Sequence, residues 1–308
     1  MLLLCNQYTS QQKYLRDFMK RSLMFFAMSS VACSSFAYIV QLDAAVTSLD
    51  HDNNYIDKDY QIDIKGKYFF DTVQIKNNPY NEAAFLNHNS NAYATYNYHT
   101  IKSQDYLTYD PLATDNFYQL ARAKDKQDVH YFTGGLEFFH EQFYLNGEMG
   151  LAAVKIKSDL DSNYGSINYK NDYNVTTYRA LVGYMPINNL LVAVGVDGYR
   201  GDKYADDQTD FAARIKYVTP IGQNGNHLNL EANGTFGDEN NVIFAVDYYL
   251  TYAFSIGSGY SLKDDDESNN NFLWFRSKYF VNPNLAVGAE VGLSSGMDLF
   301  SINGTFRF

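Results

Sequence analysis

Cysteine, proline, tryptophan and long hydrophobic runs are what this sequence has least of, and each shortage removes a class of protein. The only two cysteines are Cys5 and Cys33, both in the first 37 residues, so residues 38–308 can carry no disulfide and no thiolate chemistry. No run of 18 or more apolar residues occurs beyond the N-terminal region, which argues against a bundle of membrane-spanning helices. The six histidines (His51, His88, His99, His130, His140 and His227) show no metal-ligand spacing, and there is no G-x-S-x-G elbow. No catalytic residue, metal or cofactor is therefore expected, and the chain reads as a non-enzyme. Basic residues are also short: 24 Lys and Arg against 35 Asp and Glu, a net charge of −11. Phosphate backbones are held by a basic surface, so nucleic acid is not an expected partner.

What the chain has is aromatic residues and glycine: 28 Tyr, 22 Phe and 20 Gly, with a mean hydropathy of −0.36. Low mean hydropathy with many aromatics suits a transmembrane β-barrel. Its strands alternate between lipid and lumen, and its aromatics gather at the two interfaces.

The N-terminus reads as a leader. Met19-Lys20-Arg21 is a basic start, Ser22 to Cys33 a short apolar core, and Ser35-Phe36-Ala37 a small-residue cleavage site, the three parts of a secretory signal peptide. The expected division is an upstream extension over 1–18 with Met19 the true start, a signal peptide over 19–37 and a barrel over 38–308. Removing residues 1–37, with Lys13, Arg16, Lys20, Arg21 and Asp17, takes the net charge from −11 to −14. Cys33 is a poor lipidation site, because Ser30 stands where a bulky aliphatic residue is expected.

Three stretches repeat one pattern: GYMPINNLLVAVGVD (183–197), YYLTYAFSIGSGY (248–260) and YFVNPNLAVGAEV (279–291). Each has an aromatic, a tight turn and then apolar residues alternating with small or polar ones, which is a β-hairpin signature. Longer polar connections, at 158–172, 200–209, 237–241, 263–270 and 294–297, fall at the opposite end. Short periplasmic turns and longer outer loops are the arrangement of outer-membrane barrels. Strands are predicted at 38–49, 59–70, 91–100, 128–139, 142–157, 173–185, 189–199, 208–219, 226–237, 241–250, 252–262, 271–281, 284–294 and 297–308. The fold class is thus all-β, an antiparallel up-and-down transmembrane barrel of about 14 strands. Twelve or sixteen also fit, because 71–127 shows two long connections around one short strand.

In the last strand, Phe300, Ile302, Phe306 and Phe308 share one face, and Ser301, Asn303, Thr305 and Arg307 the other. This resembles the terminal strand of bacterial outer-membrane proteins, which ends in phenylalanine and is read by the barrel-assembly machinery; the resemblance makes Phe306 and Phe308 an assembly signal. Pro79-Tyr80-Asn81-Glu82-Ala83-Ala84-Phe85-Leu86 in turn resembles a segment of the general bacterial porin family, and with the hairpins and the C-terminus the likeness spans 19–308. It implies a signal peptide and a barrel of this size. Physically the octapeptide is a Pro-started helical turn at a periplasmic connection, folded under the barrel mouth as a structural cap.

Period-2 alternation places Phe132, Leu136, Phe138, Val192, Val194, Val196, Leu228, Leu230, Val287, Ala289 and Val291 toward lipid. The opposite face carries Glu137, Glu148, Arg179, Asp197, Arg214, Lys216, Glu231, Asp247, Arg276, Lys278, Glu290 and Arg307. Charge facing lipid costs several kcal/mol near the midplane, so these residues are expected to line the pore. Their signs alternate between neighbouring strands, as cross-strand pairs do. A wall of mixed sign argues against a channel specific for phosphate or sugar acids, which calls for a basic ladder. The acidic excess sits in loops (Asp264, Asp265, Asp266, Glu267, Asp206, Asp207, Asp159, Asp161, Asp238, Glu239). It reads as a solvated surface beside lipopolysaccharide, or as a cation-attracting entrance.

The function expected is passive diffusion of small hydrophilic solutes or ions across the outer membrane. Two rivals are a carrier of hydrophobic substrates and a non-transporting structural or adhesive barrel. The carrier needs an N-terminal plug, and the structural barrel fills its lumen with charge pairs and the 101–127 segment.

Overall fold

The computed structural model describes residues 37–52, 55–109, 120–202, 207–222, 225–238, 240–264 and 271–308. The extension and signal peptide expected over 1–37 lie outside the described residues, except for Ala37, which opens the first strand.

The strands are β1 (Ala37–His51), β2 (Ile56–Gln74), β3 (Asn91–Ser103), β4 (Tyr106–Tyr109), β5 (Leu120–His140), β6 (Phe143–Ser162), β7 (Gly165–Ile187), β8 (Leu190–Gly201), β9 (Gln208–Ile221), β10 (Asn226–Phe236), β11 (Asn240–Thr251), β12 (Phe254–Asp264), β13 (Phe272–Asn282), β14 (Leu285–Ser294) and β15 (Met297–Arg307). Each pairs antiparallel with its sequence neighbours, except that β3 and β4 do not pair with each other, and β1 pairs with β15 from Gln41↔Arg307 to His51↔Met297. β3 pairs with β5 over Asn91↔Glu137 to Lys102↔Lys126, and the short β4 continues that edge against Leu120–Ala123. Counting β3 and β4 as one staggered strand, the result is a closed barrel of fourteen strands. Through the barrel wall the strands are paired on both sides, the condition for spanning a membrane with strands.

All fourteen predicted strands are present, and the three repeated stretches are hairpins, with turns at 188–189, 252–253 and 283–284. The predicted long loop at 158–172 is instead paired backbone, from Ser158↔Tyr169 to Ser162↔Gly165. β5, β6 and β7 thereby reach 21, 20 and 23 residues, about twice the 9–11 that cross a bilayer, so this ribbon projects beyond the membrane. The connection at 294–297 is likewise a tight turn, closed by Ser294↔Met297 with Gly296 at φ +94°. The region 71–127 resolves into the 75–90 connection, β3 with β4, and the start of β5; residues 110–119 lie outside the described residues.

The outside of the barrel is apolar. Phe132, Leu136, Phe138, Val192, Val194, Val196, Leu230, Val287 and Val291 are all exposed, as are Phe300, Ile302 and Phe308. Exposed Tyr68, Phe70, Phe143, Tyr184, Tyr279 and Phe308 form a girdle at the end holding the tight turns and both barrel termini, and Phe211, Phe236 and Tyr260 lie toward the other end. An apolar band between aromatic girdles is a lipid-facing surface.

Candidate functional site: the barrel interior and its plug

The residues that alternate with this band point inward, as their contacts across the barrel require. Arg214 on β9 donates from Nη1 to Glu137 Oε1 on β5 at 3.0 Å, and also to the Tyr144 hydroxyl at 2.9 Å. Tyr93 on β3 donates to Glu148 on β6 at 2.7 Å. Arg179 and Asp197, opposed on β7 and β8, pair directly. Lys216 and Glu231, opposed on β9 and β10, are 2.5 Å apart.

Neighbouring strands thus pair as expected in two places, and elsewhere the charges find more distant partners. Glu148 stands opposite Arg179 in register yet accepts from Tyr93. Arg276 stands opposite Glu290 but donates Nε and Nη2, both at 2.7 Å, to the two oxygens of Asp247, two strands away. Gly257 makes that reach possible. It lies between the two residues in register, and a Cβ there would come within 2.1 Å of Asp247 Oδ1. A residue with a side chain on β12 would break this bidentate pair, the stronger form of carboxylate recognition.

The 75–90 connection does not hang below the barrel. It turns into the mouth at the tight-turn end, the periplasmic end by the usual arrangement. Pro79 precedes a 3₁₀ turn (Tyr80–Glu82) and one turn of α-helix (Ala83–Leu86); its fixed φ suits the start of such a turn. Backbone bonds tie the segment to the turns around it: Tyr80 N–H donates to Tyr252 O at 2.8 Å, and the His88 ring bonds Asn188 O at 2.7 Å. Apolar contacts seat it. Phe85 packs against a cluster of Tyr144, Leu181, Met185, Leu191, Ala193 and Ala212. Tyr80 and Ala84 pack against Tyr38, Phe69, Val73, Ile75 and Ala83.

Charge then fixes it. Glu82 is 2% exposed. Its carboxylate lies 2.7 Å from Lys216 Nζ and accepts from the Tyr249 hydroxyl at 2.5 Å. Lys216 is shared with Glu231, so one buried ammonium serves a plug carboxylate and a wall carboxylate. Burial alone raises the Glu82 carboxyl; the Lys216 ammonium and the Tyr249 hydroxyl outweigh it against Glu231, leaving the group below the usual carboxylate range. Arg307, 1% exposed, donates to Tyr80 O and Gln41 Oε1, both at 2.9 Å, and lies over the rings of Tyr38 and Phe280. The residue expected to line a pore from the last strand therefore holds the plug.

Above Asn81 and Glu82 lies a cavity of about 420 Å³, lined by Gln41, Asp43, Asp63, Lys65, Lys67, Glu231, Asp247, Arg276, Lys278, Glu290 and Thr305 among others. Six predicted interior residues meet there: Lys216, Glu231, Asp247, Arg276, Lys278 and Glu290. Glu137, Glu148, Arg179, Asp197 and Arg214 also face inward but do not line this cavity. Asp43, Asp63, Lys65 and Lys67, on β1 and β2, were absent from the predicted set. The alternation Asp63-Ile64-Lys65-Gly66-Lys67 carries the signal for three of them, with Ile64 exposed outside. The octapeptide lies at the expected end of the barrel, but inside the mouth rather than folded under it. Of the 101–127 segment expected to fill a structural barrel, the described parts continue β3, β4 and β5, and 110–119 lie outside the described residues.

No protein-family profile matches the chain, and no curated protein sequence does. Solved structures match the fold. The outer-membrane protein Omp33 of Acinetobacter baumannii superposes with a TM-score of 0.60 at 22% identity, covering 89% of this chain and 99% of that one. The P. putida toluene transporter TodX gives 0.50 at 6% identity, covering 90% and 91%. A TodX variant described as a monoaromatic hydrocarbon channel gives 0.50 at 10% identity over the same shares. The chain has the fold of an outer-membrane β-barrel.

Proposed function

We propose that the protein is an outer-membrane channel for passive diffusion of small hydrophilic solutes, gated at its periplasmic mouth by the Pro79–Leu86 plug. One observation carries this reading: the barrel is apolar outside and charged inside, with a polar-lined cavity of about 420 Å³ standing on the plug. A barrel with no need to hold water has no use for so many ionised side chains, since burying charge is costly. Glu137, Glu148, Arg179, Asp197, Arg214, Lys216, Glu231, Asp247, Arg276, Lys278 and Glu290 supply the field that crossing solutes meet. The charged lining disfavours a hydrocarbon cargo.

On this reading the leader over 19–37 delivers the chain to the periplasm. Phe306 and Phe308 present the last strand to the assembly machinery, and the lipid-facing band meets outer-membrane lipid and lipopolysaccharide. Resemblance of the octapeptide to the general bacterial porin family is in keeping with it. Planar-bilayer recording of the refolded residues 38–308 tests the proposal. Ohmic single-channel steps whose ion preference shifts on Arg214→Glu are expected; repeated silence from a folded barrel would defeat it.

A further inference from the structure

The cavity above the plug is unevenly served. Its carboxylates are mostly satisfied by protein groups. Asp43 accepts from Thr305 Oγ1 at 2.6 Å and Gln41 Nε2 at 2.8 Å, and Asp63 from Asn97 and Gln61. Asp247 holds Arg276, Glu231 holds Lys216, and Glu290 lies opposite Arg276 in register. The lysines are not so served. Among the described residues neither Lys65 nor Lys67 has a carboxylate within 4 Å. Lys65 stands opposite Asp43 but turns its ammonium over the Tyr93 ring, 4.5 Å from the centroid. Lys278 comes no closer than 4.0 Å to Asp43.

Three ammonium groups from β2 and β13 therefore face one cavity in which Asp63, Glu82, Glu231 and Asp247 are taken up by other groups, and Asp43 comes no closer than 4.0 Å to any of the three. An unpaired charge in a confined site is costly, and like charges around it add to the cost. Elsewhere on this wall Arg214, Lys216 and Arg276 each have a carboxylate at 2.5–3.0 Å. Beside the lysines the lining offers neutral hydrogen-bonding groups, the side chains of Asn303 and Thr305.

We infer that Lys65, Lys67 and Lys278 form a subsite for the carboxylate of a small polar organic acid, which rests on the plug with its hydroxyl or amide groups against Asn303. The inference deepens the channel reading and rests on it for its physiological meaning, not for the binding itself.

Gluconate is a suitable probe. Saturation-transfer NMR follows its binding to the refolded barrel in detergent at fixed chloride and ionic strength. Saturable transfer is expected with the wild type. It should fall roughly tenfold in affinity when Lys67→Gln and Lys278→Gln remove two charge-assisted contacts, and persist with Lys67→Arg. Lys67 has no ion-pair partner to lose, so Lys67→Gln alone keeps the test open should the double variant fail to fold. Transfer that does not saturate, or that is equal in wild type and Gln variants, overturns the subsite. Bilayer recording separates the two claims. Binding without conductance defeats the channel and leaves the subsite, and conductance without lysine-dependent binding does the reverse.

Discussion

Two ion pairs on the same inner wall, Lys216 with Glu82 and Arg179 with Asp197, show how differently one alternating pattern can be used. Both cations come from inward positions of adjacent regions of the wall, β9 and β7. Lys216 and Glu82 have side-chain exposures of 11% and 2%, and join the wall to the plug. Arg179 and Asp197 have 38% and 30%, and join only neighbouring strands. The difference is the plug. Where it lies against the wall, water is excluded and each partner depends on the other; where it does not, water solvates both. A buried pair broken on one side is costly, because it strands a charge, whereas an exposed pair is worth little.

The largest effect should follow Lys216→Met. It leaves Glu82 and Glu231 without their shared cation, and should destabilise the folded barrel by about 3–5 kcal/mol, read by denaturant unfolding in detergent. Conductance of barrels that still fold should rise as the plug detaches. A loss under 1 kcal/mol would mean that the contact with Glu82 is not what seats the plug.

Phe85→Ala should cost about 2 kcal/mol, less than the 3–5 typical of fully buried aromatics, since the ring is only partly enclosed. Its distinctive readout is easier proteolysis within 75–90 while the barrel core stays resistant.

Acidification tests the same contact without a mutation. A carboxyl whose folded pKa is depressed contributes stability above its unfolded value and loses it as pH falls through the folded value. Glu82 is such a group, with an ordinary value of 4.5, so plug anchoring should be intact at neutral pH and weaken only below about pH 4.5. Conductance should rise over that acid range in the wild type, and the rise should be absent in Glu82→Gln.

The smallest stability effect belongs to Arg179→Gln and Asp197→Asn, each within about 1 kcal/mol. Their consequence should appear in the reversal potential across a salt gradient, in opposite directions for the two variants.

The contrast between these pairs also marks what could be read from the residues. Strand positions and facing follow from a period of two. In Met297–Arg307, one face holds Phe300 and Ile302 and the other Ser301 and Arg307, because lipid and lumen are different solvents. That rule fails where both faces are wet. Residues 158–172 carry no apolar stripe, since the ribbon they form stands outside the bilayer, and polar strand then looks like loop. It is also silent on what meets inside. Nothing local to Glu82 points to Lys216, 134 positions away, and nothing local to Asp247 predicts that Arg276 reaches it over Gly257. Asp43, Lys65 and Lys67 obey the same alternation as the other inward charges, so their place was legible. What was not legible is that, among the described residues, Lys65 and Lys67 have no carboxylate within 4 Å, which only the closed barrel reveals.

The account stands most directly on replacing Pro79–Leu86 by a flexible Gly-Ser linker and comparing single-channel conductance with the wild type, folding of both being checked by heat-modified electrophoretic mobility. A larger, steady ohmic conductance in the linker variant is the predicted result. Indistinguishable conductance from two correctly folded barrels would contradict the plug as the gate of this channel.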